Sequence, residues 1–150
     1  TTPVGGTPAP PGALSLLIFG GCGQLGRCIV ESFKADGHTV VTVDFRVSDI
    51  ADRTVRLSGG DAEIDDVVKE LGELGVRYDA VVCVAGGFRF GNVHSATLMA
   101  DCMKMAKYNM QSALAASHVA ANYLKPGGLL VLTGASAVAH GGTPALMAYG

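Results

Sequence analysis

The residues with the most legible chemistry are Gly20-Gly21-Cys22-Gly23-Gln24-Leu25-Gly26. They contain G-x-G-x-x-G at positions 21, 23 and 26, and equally G-x-x-G-x-x-G at 20, 23 and 26. Glycines at these spacings allow a tight turn with positive φ, a backbone that comes close to a pyrophosphate, and a helix packed hard on a strand. A helix beginning near Gln24 then offers unpaired N–H groups to the phosphates. Asp44 lies 18 residues beyond Gly26 at the end of an apolar run. A carboxylate there accepts both hydroxyls of an adenosine ribose and repels a 2′-phosphate. Gly20, Gly21, Gly23, Gln24, Leu25, Gly26, Asp44 and the adjoining Phe45 are therefore predicted to bind a dinucleotide, NADH in the first place. Arg46 is a cation able to pair with a 2′-phosphate, so NADPH stays open.

Further along, Asn109, Ser136 and Tyr149 are separated by 27 and 13 residues. Asn109 occupies a helical position that a stronger helix former would fill better. A tyrosine hydroxyl can act as a general acid or base, but a free one titrates near pH 10 (about) and needs a neighbouring cation to work at neutrality. Phe88 and Phe90 carry aromatic faces suited to lining a pocket for a flat ring. His38, His94, His118 and His140 show no ligand spacing, and Cys22, Cys28, Cys83 and Cys102 form no CxxC pair. Neither a metal site nor a disulfide framework is expected, and reduced thiols point to the cytoplasm.

These groups need a scaffold, and the pattern supplies one. Residues 1–13 are rich in Pro and Gly and read as a flexible tail, leaving 14–150 as the N-terminal portion of a single domain. Leu14 to Phe19 is an apolar run ending in glycines, as a buried parallel strand would be. Leu25, Cys28, Ile29 and Phe33 give the next helix an apolar face until Asp36-Gly37. Thr39 to Phe45 and Arg53 to Leu57 read as strands. Ile64, Val67, Val68, Leu71 and Leu74 form a second helical stripe, capped by Asp61 and ended by Gly75. Ala80 to Ala85 reads as a central strand buried on both faces. One long helix from about Ser95 to Leu124, stopped by Lys125-Pro126-Gly127-Gly128, precedes a strand from Leu129 to Thr133. Alternating strands and helices predict an α/β fold: a Rossmann-like, doubly wound parallel sheet with helices on both faces.

Composition agrees with that class. The chain has 150 residues, 49% of them apolar, and a formal charge of −2 with no clustered Lys or Arg. That balance argues against nucleic acid as a partner. No run is long enough to span a bilayer and no signal-peptide pattern opens the chain, so neither membrane nor export is expected.

The Asn109, Ser136 and Tyr149 spacings resemble those of the short-chain dehydrogenase/reductase family. Within it the chain is most similar to the dihydropteridine reductases, across Leu17 to Gly150. The matching stretches are Gly20-Gly21 through Gly26, Cys83-Val84-Ala85-Gly86-Gly87, Leu124-Lys125-Pro126-Gly127-Gly128-Leu129-Leu130, and Gly142-Thr143-Pro144 leading to Tyr149-Gly150. The resemblance implies that Ala85, Gly86 and Gly87 lie beside the adenosine part of the cofactor. It implies Tyr149 as proton donor, Ser136 as its positioning hydroxyl, Asn109 as holder of a relay water, and Phe88 and Phe90 against a pterin. It further implies hydride transfer from NADH to a quinonoid dihydropterin and a homodimer, in which the long helix and its Ala113, Ala116 and Ala120 approach a second helix closely. Two departures accompany it. Dihydropteridine reductases often lack the family serine, and the family lysine four residues after the tyrosine falls beyond Gly150. The chain is accordingly expected to be the N-terminal portion of a longer reductase, inactive by itself. A reductase of another carbonyl or imine, or a non-catalytic dinucleotide sensor, are the alternatives.

Overall fold

Leu16, Leu17, Ile18 and Phe19 are all buried because strand β1 (Ser15–Phe19) runs through the middle of a sheet covered on both faces. It pairs in parallel with β2 (Thr39–Asp44) on one side and β4 (Tyr78–Cys83) on the other. β3 (Arg53–Arg56) lies outside β2 and β5 (Leu124–Leu132) outside β4, all parallel, in the order β3-β2-β1-β4-β5. The computed structural model describes residues 12–59, 63–136 and 145–149. Residues 1–11 of the tail, the Asp61 cap and the Gly142-Thr143-Pro144 stretch lie outside the described residues.

Successive side chains of a strand point to opposite faces, and the core divides accordingly. Leu16, Ile18 and Val40 meet Val30 of α1 (Gln24–Ala35) on one face. Leu17, Phe19, Val43 and Val81 meet α2 (Glu63–Glu73) and α4 (Ser112–Tyr123) on the other, through Val67, Leu71, Ala116 and Val119. The doubly wound fold read from the sequence is present. Helix ends follow the expected glycines: Gly37, past the end of α1, has φ +80°, and Gly75, past α2, has φ +63°.

Four details differ from the sequence reading. First, α1 turns a different stripe inward. Gly26 and Val30 are buried with Ile29 and Phe33 beside them, whereas Leu25 and Cys28 are exposed. Gly26 has to rest on the turn before the helix, and that contact sets the rotation. Second, Ala80 and Val82 of β4 are only half-buried, so this strand is fully covered on one face alone. Third, the long helix runs without a break from Leu98 to Tyr123 but is not α-helical throughout: α3 (Leu98–Met105), a π-helical segment (Ala106–Gln111) and α4 follow one another, and β5 begins directly at Leu124. Lys125 to Gly128 is a bulge within β5, between the pairs Tyr78 with Leu124 and Ala80 with Leu129. Fourth, Ala116 and Ala120 pack into the sheet rather than toward a second helix. Met99, Met103, Met110 and Leu114 are exposed apolar residues of this stretch, while Met105 is buried. Among the described residues no helix is long and apolar enough to cross a membrane.

The end of the sheet away from the glycine turn is tied by carboxylates. Asp79 accepts the Ser15 N–H at 2.7 Å and pairs with the Lys125 ammonium at 2.8 Å. Asp52 accepts the Val40 N–H at 2.8 Å and pairs with Lys34 at 2.7 Å. Lys125, with the Ser15 N–H second, holds the Asp79 carboxyl below the usual carboxylate range. A lowered carboxyl pKa stabilises the fold above the ordinary range, and that contribution disappears as pH falls through the lowered value. Asp79→Asn should therefore melt below the parent at pH 7, with the gap narrowing below about pH 4. Thermal unfolding at several pH values measures it, and an equal gap at pH 7 and pH 3 would contradict the assignment.

Tyr78 carries the opposite feature. Its ring is fully buried, its hydroxyl has no hydrogen-bond partner among the described residues, and burial pushes its pKa up to about 12. An enclosed, unpaired hydroxyl destabilises the folded state. Tyr78→Phe should raise stability by about 1 kcal/mol, read as a higher urea midpoint. A lower midpoint would mean that the hydroxyl has a partner.

Candidate functional site

Strand order reverses between β1 and β4, since the chain moves outward from β1 through β2 to β3 and then returns to β4 on the other side. Loops leaving the two strand ends diverge there and open a crevice, the usual place for a ligand in such a sheet. Gly20 sits at its base with φ +83°, donating its N–H to the Val43 carbonyl at 2.9 Å. A Cβ at Gly20 would stand 2.7 Å from the Ala85 backbone, and one at Gly26 only 2.0 Å from the Gly20 carbonyl oxygen. Both approaches require glycine. Gly21 also has no room for a Cβ, which would stand 2.3 Å from the Thr42 methyl, whereas one at Gly23 would come no closer than 3.3 Å to the Gly20 carbonyl oxygen.

Helix α1 rises directly from this turn. Its first internal bond runs from the Arg27 N–H to the Gly23 carbonyl at 2.8 Å, and no side chain caps its N-terminus. The N–H groups of Gln24, Leu25 and Gly26 are therefore without helical acceptors and are placed to receive an anion.

Asp44, nine-tenths buried, fastens the turn to the end of β2. One carboxylate oxygen accepts the Cys22 N–H at 2.9 Å and the other the Arg46 N–H at 3.1 Å. The Arg46 guanidinium in turn donates to the Cys22 carbonyl, and the Cys22 thiol to the Arg46 carbonyl at 3.1 Å. Burial, reinforced by the Asp44 charge, pushes the Cys22 thiol pKa up. All four cysteines are free thiols. Above Asp44 opens a cavity of about 440 Å³, within the range of small-molecule sites. Gly20, Gly23, Asp44, Phe45, Arg46, Ala85 and Gly86 line it, together with Phe19, Val43, Leu57, Ile64 and Val84.

The remaining wall comes from Lys107, Tyr108, Gln111 and Ser112, which the sequence reading missed. Their spacing of one, three and one residues is that of a helix face, so the signal was present. The π-helical segment changes what that face can do. While its neighbours line the cavity, Asn109 reaches back to the loop after β4, accepting the Gly87 N–H at 2.7 Å and donating to the Gly87 carbonyl at 3.1 Å. Its side-chain amide holds the backbone of the Gly86-Gly87 turn. Tyr108 packs across Gly87, where a Cβ would lie 2.7 Å from its ring.

Beyond that turn Phe88 and Phe90 are exposed and meet edge to face, with ring centroids 4.7 Å apart. Tyr149 joins them, its ring 5.0 Å from Phe88. Ser136 is exposed just past β5. Among the described residues no hydrogen bond joins Ser136, Asn109 and Tyr149, and none of the three lines the cavity. The structure thus gathers most of the predicted cofactor residues around one crevice. It places Tyr149 with the two phenylalanines and leaves Ser136 apart. A cavity over a buried carboxylate, beside free helix N–H groups and a turn with no room for a Cβ, suits the adenosine and pyrophosphate of a nicotinamide dinucleotide.

Comparison with known proteins agrees with that fold. No family model matches the chain. Among solved structures, a short-chain dehydrogenase family protein from Francisella tularensis subsp. tularensis SCHU S4 superposes with a TM-score of 0.75 at 18% identity, over 91% of this chain and 57% of that one. NADH-dependent reductase A1-R′, solved in complex with NAD, superposes with a TM-score of 0.75 at 18% identity, over 91% of this chain and 65% of that one. The chain has the fold of the short-chain dehydrogenases/reductases. By sequence the chain is similar to the Dictyostelium discoideum protein named dihydropteridine reductase, with 36% identity over 137 residues, 91% of this chain. The chain spans 59% of the length of that relative.

Gly26 offers a test of the turn. Gly26→Ala forces its methyl onto the Gly20 carbonyl, and overpacking of this kind costs about 1–3 kcal/mol. The variant should unfold at lower urea and bind NADH more weakly than the parent in a fluorescence titration. Unchanged stability and affinity would show that the turn relaxes freely.

Proposed function

We propose that the protein carrying this chain is an NADH-dependent reductase that converts a quinonoid dihydropteridine to its tetrahydro form. The observation that carries the reading is the junction of Gly20, Gly26 and Asp44 at the strand-order reversal, which combines an anion-receiving helix end with a carboxylate at the cavity. The N–H groups of Gln24, Leu25 and Gly26 would hold the pyrophosphate, and Asp44 the adenosine ribose hydroxyls. Arg46 lines the cavity beside Asp44, which favours acceptance of NADPH as a second cofactor. When bound, the nicotinamide supplies the hydride, and the protein's part is to orient substrate and supply a proton.

The substrate class follows from the dihydropteridine reductase relationship together with the aromatic group of Phe88, Phe90 and Tyr149. Exposed ring faces beside a cofactor crevice suit a flat, polar heterocycle. In this reading Tyr149 donates the proton that accompanies the hydride. Asn109 acts by fixing the Gly87 peptide, and Ser136 is a further hydroxyl for the substrate side. A cytoplasmic homodimer, with Met99, Met103, Met110 and Leu114 as the apolar surface available to a second copy, belongs to the same proposal.

The decisive experiment follows NADH oxidation by the natural protein with quinonoid dihydrobiopterin. Tyr149→Phe should cut kcat on the order of 100-fold while NADH still binds, and Asp44→Ala should weaken NADH more than NADPH. Turnover of ketones but not pterins would move the assignment to another carbonyl reductase. NADH binding without turnover of either would make the protein a dinucleotide sensor.

A further inference from the structure

We propose that Phe88 is a positioning residue for Tyr149, and that the loop after β4 is the mount on which the tyrosine is held. The inference rests on Tyr149 being the proton donor. It starts from an unusual pairing, because Phe88 lies 45% exposed, belongs to neither core cluster and does not line the cofactor cavity. Its ring contacts are with aromatic rings instead. Tyr149 stands 5.0 Å away at 63°, and Phe90 backs it at 4.7 Å and 89°.

Backbone contacts join the same two segments. Gly91 donates its N–H to the Ala145 carbonyl at 2.9 Å and accepts the Met147 N–H at 3.1 Å, forming a parallel bridge with Leu146. The Tyr149 N–H closes the turn onto the Leu146 carbonyl at 2.9 Å. At the other end of the loop, Asn109 holds both polar groups of the Gly87 peptide. Phe88 is therefore fixed by Gly87 on one side, and its loop is bonded to the tyrosine's turn on the other. Edge-to-face packing has a directional preference that aliphatic packing lacks. The tyrosine oxygen lies on the axis of its ring, so a ring held at a set angle presents its hydroxyl in a set direction. Positioning of a reacting group within a fraction of an ångström is a large part of catalytic rate.

The test uses the natural protein labelled with 3-fluorotyrosine. The Tyr149 signal is the ¹⁹F resonance missing from Tyr149→Phe. In Phe88→Leu that resonance should move and kcat should fall roughly tenfold, with the KM for NADH unchanged. Phe88→Trp, which keeps an aromatic ring, should restore both. An unmoved Tyr149 resonance in Phe88→Leu overturns the proposal, as does a rise in pterin KM alone, which would make Phe88 only a surface for substrate. A resonance that moves in a protein without reductase activity supports the mount and removes the reductase reading instead.

Discussion

A helix resting on a carbonyl oxygen sets the geometry of everything near the crevice. Gly26 lies so close to the Gly20 oxygen that no side chain fits between them, and Gly20 is in turn pressed against the Ala85 backbone. The turn after β1, the first turn of α1 that follows it and the distant loop after β4 thereby share one contact point. The contact brings the open N–H groups of α1 to the carboxyl ends of the central strands and rotates the helix so that Val30, Ile29 and Phe33 face the sheet. Crevice and hydrophobic core are thus consequences of the same close approach.

Charge then stiffens what sterics has arranged. Asp44 accepts backbone N–H groups from both Cys22 and Arg46, and Arg46 answers with a bond to the Cys22 carbonyl. The glycine turn, whose backbone has the widest conformational freedom, is held by a side chain from the neighbouring strand. Preorganisation of this sort lowers the entropy lost when a ligand binds, since the backbone N–H groups already point where an anion would sit.

Much of this was legible in the sequence because it rests on local patterns. Apolar runs ending in glycine marked β1 and β4, and the glycine spacing with Asp44 marked the turn and the strand end that meet at the crevice. What escaped depended on contacts between distant segments. The inward stripe of α1 could not be separated from Leu25 and Cys28 by periodicity alone, because the contact between Gly26 and Gly20 decides the rotation. Ala116 and Ala120 read equally well as a face for another helix or for a sheet, and only the position of β4 distinguishes them. The π-helical segment carries no breaker residue, so the sequence reads as an uninterrupted helix. Its extra residue per turn becomes visible only where Asn109 meets Gly87. Asn109 stood out as a poor helix former in a helix, and its side chain binds the Gly87 backbone.

The carboxylates at the opposite end of the sheet have a different kind of consequence. Asp79 and Asp52 occupy the amino ends of the strands, where they satisfy Ser15 and Val40 and are neutralised by Lys125 and Lys34. None of these residues lines the crevice at the carboxyl ends. Selection for a durable fold and selection for a particular ligand therefore act on separate sets of residues. A descendant of this chain can exchange one nucleotide or substrate for another at the upper rim while the lower rim, untouched, keeps the sheet intact through the change.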